Sequence, residues 1–343
     1  MSRARTARRI AAGAAYGGGG LGLVGVAAVG LVLAEVQFAK RTVGTGLGDP
    51  PRADGLYGSE FGGSQPGDPG AGPLRLAMMG DSTAAGLGVH RARQTPAALL
   101  ASGLAAVAER PVELRNVALS GAMSDDLDRQ TGLLLDGSGP PPDVCVIMIG
   151  ANDVTRRMPP TQSVRYLTSA VRRLRLAGCE VVVGTCPDLG TIEPVYQPLR
   201  WLARRVSRQL AAAQTIGVVA LGARTISMGD LLGPEFAANP REMFGPDSYH
   251  PSAEGYATAA MAILPTVCAA LSLWPESDRL DVSRNEDVLP VAKAASAAAG
   301  QAGTEVSAAR GPWALLKYRR RRRVPTDHHP APDRVAESPV AGS

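Results

Sequence analysis

Leu74-Arg75-Leu76-Ala77-Met78-Met79-Gly80-Asp81-Ser82-Thr83-Ala84-Ala85-Gly86-Leu87-Gly88 is the stretch from which the rest of the chain is read. Leu74 to Met79 is apolar except at Arg75 and stops at a glycine. Such a run is too short for a helix and suits a buried strand. Gly80 lets the chain turn sharply, and Gly86 and Gly88 let backbone approach a ligand closely. Ser82 then falls where a helix begins, and the free N–H groups at that point can stabilise a developing oxyanion. Gly-Asp-Ser is equally an ordinary turn and helix cap, so its chemistry is decided elsewhere in the chain.

Outward from this turn the pattern alternates. Residues 95–109 have helical spacing, and 112–118 and 144–149 read as strands. Residues 161–177 form a helix with an Arg-rich outer face, 180–184 a valine-rich strand and 198–216 a long amphipathic helix. Residues 218–221 are expected to be the fifth strand, and 253–271 the closing helix. Strand and helix in alternation predict an α/β fold, with a parallel sheet covered on both faces. Reactive groups in such folds collect on loops at the carboxyl ends of the strands. This folded domain spans 74–275.

The flanks differ in character. Residues 1–9 are basic, and Ile10 to Ala34 is a run of 25 residues without a charge, against the ~20 that cross a bilayer as a helix. Residues 10–36 read as an uncleaved transmembrane signal-anchor with the arginines inside and the domain outside the cytoplasm. A cleaved signal peptide, with a secreted domain, is the alternative. The Gly/Pro-rich residues 37–73 read as a flexible linker. Beyond 275 the pattern fails: 276–343 reads as an Ala-rich and then polybasic tail, in which 288–302 suits a helix but has little to bury. Trp313 and Tyr318 beside Arg319 to Arg323 suit contact with anionic lipid or polymer; a solvated tail is the plainer reading.

The net charge of +5 belongs to these tails. Four arginines before residue 10 and seven basic residues between Arg310 and Arg323 leave the intervening chain acidic, which excludes nucleic acid as a partner of the core. Only 4% of residues are aromatic, few for stacking on sugars or bases. Cys145, Cys179, Cys186 and Cys268 form no metal-ligand spacing.

Three further segments carry chemistry. Asp247-Ser248-Tyr249-His250-Pro251 puts a carboxylate three residues before an imidazole. Serine needs a base to take its proton, and the base needs a carboxylate to fix its tautomer. Of the other histidines, His328 and His329 lie in the tail and His90 in the loop region after the serine, so His250 is the better placed base. Pro251 suits the first turn of a helix. Ile149-Gly150-Ala151-Asn152-Asp153 ends a strand with a side-chain amide able to face an oxyanion. Asn116 to Gly121 ends another, and Gly121 offers a backbone N–H.

Together, Gly80-Asp81-Ser82, Gly121, Gly150-Ala151-Asn152-Asp153 and Asp247-Ser248-Tyr249-His250 resemble, in this order, the sequence blocks of the SGNH (GDSL-type) hydrolases. The resemblance covers 74–274. It implies a three-layer α/β/α sandwich on a five-stranded parallel sheet and a site with no cofactor and no metal. It further implies Ser82 as nucleophile, Asp247 and His250 as its triad partners, and Ser82, Gly121 and Asn152 as the oxyanion hole. The expected activity is hydrolysis of carboxylic esters, with acyl-lipid or short-chain acyl esters as substrates. An O-acetyl esterase of carbohydrate or wall polymer is an alternative, as is a membrane-tethered binding protein without catalysis. Ser120, Ser124 and Asp153 read as loop-supporting residues, and Asp125, Asp126 and Asp128 as a solvated face. The apolar side chains between Arg224 and Phe244 are expected to line the acyl or alcohol pocket.

Overall fold

The computed structural model describes residues 47–61, 72–137, 139–192, 196–229, 239–273, 289–301 and 303–308. Almost all of these belong to one compact unit, residues 1–277 with 290–308; Leu289 alone belongs to the other. The strands are β1 (Gly55–Tyr57), β2 (Leu74–Gly80), β3 (Val112–Asn116), β4 (Val144–Met148), β5 (Glu180–Gly184), β6 (Arg224–Ile226) and β7 (Glu305–Val306). The helices are α1 (Ser82–Ala85), α2 (Pro96–Ala108), α3 (Leu127–Leu135), α4 (Ala151–Thr155), α5 (Pro160–Leu176), α6 (Leu199–Val219), α7 (Pro240–Met243), α8 (Ala253–Ala270) and α9 (Val291–Ala298).

The strands form one sheet in the order β1-β3-β2-β4-β5-β6-β7. The five from β3 to β6 are parallel, as expected. Side chains of a strand alternate between faces, and the two faces bury separate cores. Leu74, Leu76 and Met78 of β2, with Val144, Val146 and Met148 of β4, meet Leu100 and Leu104 of α2 and Ile263 and Val267 of α8. Ala77 and Met79, with Cys145 and Ile147, meet Leu127 and Leu134 of α3 and Leu167, Val171 and Leu174 of α5. Because β4 is covered on both sides, all five of its residues are buried. Truncating one such side chain to alanine costs about 2–5 kcal/mol. These are the three layers of an α/β/α sandwich.

The topology also sets where a site belongs. From β2 the chain crosses first to β3 on one side and then to β4 on the other, so the direction of winding reverses around β2. Open α/β sheets bind ligands at the carboxyl ends of the strands at such a reversal. Met78 pairs with Asn116, and Gly80 with Met148, so β2, β3 and β4 end side by side. The segments holding Ser82, Gly121 and Asn152 leave the sheet from these ends.

Three expectations need correction. Residues 218–221 do not form the fifth parallel strand. Buried Ser207, Leu210, Ala211, Gln214, Thr215, Val218 and Val219 continue one helical stripe on α6, and this three-to-four spacing holds the valines in the helix. The fifth parallel strand is Arg224–Ile226, all of it buried. Within the linker range, Gly55–Tyr57 pairs antiparallel with β3. Within the tail range, α9 buries Ala295 and Ala298, and β7 pairs antiparallel with β6. Arg224 and Glu305 join these last two strands at 2.7 Å, and Thr266 Oγ1 donates to Glu305 at 2.9 Å. Among the described residues the sheet therefore has seven strands. The expected membrane helix at 10–36 and the polybasic residues 319–323 lie outside the described residues; among the described residues no helix is long and apolar enough to cross a membrane.

Candidate active site

Ser82 opens α1 immediately after β2. Gly80 turns the chain there with φ of 135°, and a Cβ on it would fall 1.9 Å from the Met148 carbonyl oxygen, so only glycine fits between the two strand ends. The Asp81 carboxylate caps the short helix by accepting from the Thr83 N–H at 2.9 Å. Gln130, buried on α3, grips the turn from the opposite direction. Its Oε1 accepts from the Gly80 N–H at 2.8 Å, and its Nε2 donates to the Gly80 carbonyl at 2.9 Å.

The Asp247–His250 loop reaches this turn from the far end of the chain. His250 Nε2 lies 2.9 Å from Ser82 Oγ, and His250 Nδ1 lies 2.6 Å from Asp247 Oδ2. A carboxylate only accepts, so Nδ1 carries the proton and Nε2 presents its lone pair to the serine hydroxyl. The second carboxylate oxygen accepts from the His250 N–H at 3.0 Å and the Tyr249 N–H at 3.2 Å. Burial pushes the Asp247 carboxyl up, but the His250 ring bond, its charge and the two backbone N–H groups outweigh this and hold it below its ordinary value. All three side chains are buried, so the relay is shielded from bulk water.

The packing around the loop explains its position. Tyr249 meets the His250 ring edge-on at 4.8 Å between centroids, and, like Leu199 and Ala203 of α6, it packs against the buried cluster of Ala151, Leu189 and Ile192. Tyr256 of α8 donates its hydroxyl to the Leu87 carbonyl at 2.6 Å, tying the closing helix to the loop after the serine. A Cβ on Gly88 would meet the Pro251 carbonyl at 2.8 Å, so glycine permits that close approach. Pro251 is not in the first turn of α8. It bridges to Phe244, and Ser252 caps the helix by accepting from the Gly255 N–H at 3.2 Å.

The expected oxyanion donors are joined by another route. Asn152 stands in the first turn of α4, and its Nδ2 donates to the Ala122 carbonyl at 3.0 Å. This holds the amide against the turn that carries Gly121, whose φ is 79°. Neither the Gly121 N–H nor the Ser82 N–H has a protein acceptor among the described residues. Gly150, φ 133°, fits beneath Cys186 and Gln214, where a Cβ would fall 2.8 Å from the Cys186 Cβ. Gln214 in turn accepts from the Cys186 N–H at 2.7 Å and donates to the Ile149 carbonyl at 3.1 Å.

Asp153 and Ser124, read as loop supports, bond directly: the Ser124 N–H and Oγ–H donate to the Asp153 carboxylate at 2.8 and 2.5 Å. Ser120 is exposed, and so is His90. Of the side chains expected to line a pocket, Met243 and Phe244 are buried in the core, and Met228, also buried there, lines a small cavity with Asp81 and Thr83 beside the serine turn. Leu231, Leu232 and Phe236 lie outside the described residues.

Several residues that shape the site had no motif to announce them. Gln130, Gln214 and Tyr256 act from helices through buried polar bonds, and an isolated Gln or Tyr in an apolar helix was the only available sign. Asp81, which caps the serine turn, is buried as well. Burial raises its carboxyl to about 6; the Asp153 charge adds to this, while the Thr83 N–H and the His250 charge oppose it.

Residues 78–258 match the GDSL-like lipase/acylhydrolase family. Over 282 residues the chain is 39% identical to the GDSL-like esterase Rv1075c of Mycobacterium tuberculosis, across 78% of this chain and 85% of that protein. Among solved structures it resembles TesA at 24% identity and a TM-score of 0.44, spanning 57% of this chain and 99% of that one. It also resembles the lipase Lip_vut3 from a goat rumen metagenome, at 16% identity and a TM-score of 0.46, over 57% of this chain and 97% of that one.

Proposed function

Since the chain belongs to the GDSL-like lipase/acylhydrolase family, and is a carboxylic ester hydrolase, we propose that Ser82 is its nucleophile. His250 Nε2 takes the Ser82 proton as Oγ attacks the ester carbonyl. Asp247 stabilises the imidazolium that forms. The N–H groups of Ser82 and Gly121 and the Asn152 amide receive the oxyanion. His250 then protonates the departing alcohol, and water, deprotonated by the same imidazole, releases the acid from the acyl-enzyme. The observation that carries this reading is the unbroken line Asp247–His250–Ser82, at 2.6 and 2.9 Å, made from opposite ends of the domain.

For substrates we propose acyl-lipid or short-chain acyl esters, supported by the scarcity of aromatic rings suited to sugars. Nitrophenyl esters from acetyl to long acyl, tested on wild type and Ser82→Ala, examine both claims. Activity confined to acetyl would favour an O-acetyl esterase instead, and equal rates for the two proteins would remove the mechanism. Labelling by a fluorophosphonate, lost in Ser82→Ala, excludes a non-catalytic binding protein. The uncharged run 10–34 supports a further proposal, that the domain is held outside the cytoplasm by an N-terminal anchor. The polybasic tail would then add contact with anionic lipid or polymer. Protection of the domain from protease added to intact cells would overturn that topology.

A further inference from the structure

Asp153 is buried at 1% exposure and has no cationic partner among its described bonds. Its carboxylate is satisfied by the Ser124 N–H at 2.8 Å, the Ser124 hydroxyl at 2.5 Å and the Ser163 hydroxyl at 2.6 Å. These bonds gather three segments: α4, which carries Asn152; α5, which carries Ser163; and the turn that follows Gly121. Ser124 also begins the short turn Ser124–Asp126 that runs directly into α3. Six residues further along that segment, Gln130 makes its two bonds to the backbone of Gly80, two residues before Ser82.

One short piece of chain is therefore anchored at both ends by buried polar groups. One anchor is beside the Asn152 amide and the other is on the serine turn. Simple satisfaction of buried polar groups would not require both anchors to fall on one segment, or each to bond next to a different part of the site. Resting on the esterase reading above, we propose that Asp153 and Gln130 are positioning residues: through residues 124–130 they hold the Gly121 and Asn152 donors in register with Ser82 Oγ. Neither side chain touches substrate. Their effect is on the distance between the attacking oxygen and the donors, where an error of about 1 Å costs on the order of 100-fold in rate.

The test is steady-state hydrolysis of nitrophenyl butyrate by Asp153→Asn, Gln130→Leu and the double variant. Active sites are counted by fluorophosphonate titration to completion, so that kcat is expressed per functional site. Each single variant is expected to lose about 10- to 100-fold in kcat per titrated site, with KM within about threefold of wild type. The double variant is expected to lose less than the product of the two, because both act through one segment. Ser124→Ala keeps the backbone bond to Asp153, and it serves if Asp153→Asn does not fold; a smaller drop in the same quantity is expected. A purely structural role predicts fewer titratable sites, each with wild-type kcat. That result, or losses that simply multiply, overturns the proposal. A wild-type protein that neither labels nor hydrolyses would instead remove the esterase mechanism, so the two failures are distinguishable.

Discussion

The two halves of the site are held together in different ways. On one side, Asp247, His250 and Ser82 touch through their own side chains, and the proposed reactive groups are also the structural links. On the other side, Gly121 and Asn152 do not bond to each other or to Ser82. Their placement comes from the Ala122 carbonyl, from Asp153 with its two serines, and from Gln130 on the serine turn. The triad is thus specified by which side chains are present, and the oxyanion side by which groups hold the backbone. Loss of a triad member should be near-total and local, whereas damage to the other half should be graded and spread over residues that never meet substrate.

The sharpest break in this contrast is Ser82→Ala. It is expected to lower kcat for a nitrophenyl ester by about 10⁶-fold, leaving only what binding and the oxyanion donors provide. A loss below about tenfold would show that another group attacks the ester. Asn152→Ala comes next, with a loss of about 10²–10³ in kcat and little change in KM, since it removes one of three donors. A purely KM effect would assign Asn152 to substrate binding and dissolve the distinction drawn above.

The carboxylates give a third test, in which the sign matters. Asp81 is raised from about 3.8 to about 6 in the folded chain, chiefly by burial. The native state therefore holds this proton more tightly than the unfolded state. Stability from this group is greatest in acid and falls as pH rises from about 4 through about 6. Asp81→Asn keeps an oxygen for Thr83 and removes that penalty. It is expected to raise unfolding free energy by up to about 3 kcal/mol at pH 7.5 and by almost nothing at pH 4. Urea denaturation at the two pH values measures it; an equal gain at both would refute the assignment. Asp247, held below its ordinary value, behaves in the opposite sense: its stabilisation is present at neutral pH and is lost as pH falls below about 4. The smallest effect is expected far from both halves. Glu305→Gln weakens the pair with the buried Arg224 guanidinium but keeps a carbonyl oxygen to accept from it, so about 1–2 kcal/mol of stability should go with no change in kcat per site.

Much of this was legible beforehand, for identifiable reasons. Strands buried on both faces, such as Val144–Met148 and Glu180–Gly184, declare themselves as apolar runs, and their glycine and asparagine ends mark the loops. The triad was readable because its residues sit in short local patterns at the two ends of the domain. The fifth parallel strand was not, because Arg224-Thr225-Ile226 is buried while its composition reads as surface; Glu305, 81 residues later, and the Ala269 carbonyl are among the partners that make the arginine tolerable there. The neighbouring Val218 and Val219 looked like a strand by composition and belong to a helix by spacing. Gln130 and Gln214 were invisible for a related reason: a glutamine on a helix reveals nothing until the backbone it grips is in place.

The two antiparallel strands have a consequence for how copies of the molecule meet. A parallel sheet ending at β3 and β6 would offer two rows of unpaired N–H and C=O groups, each a template for another chain. Gly55–Tyr57 covers the first row and Glu305–Val306 the second, with strands of three and two residues that leave little ladder to extend. Ending the chain at residue 275 would keep every group of the proposed active site, yet uncover the β6 edge. Such a fragment would be expected to self-associate through that edge, a fate set by the margins of the sheet and not by its chemistry.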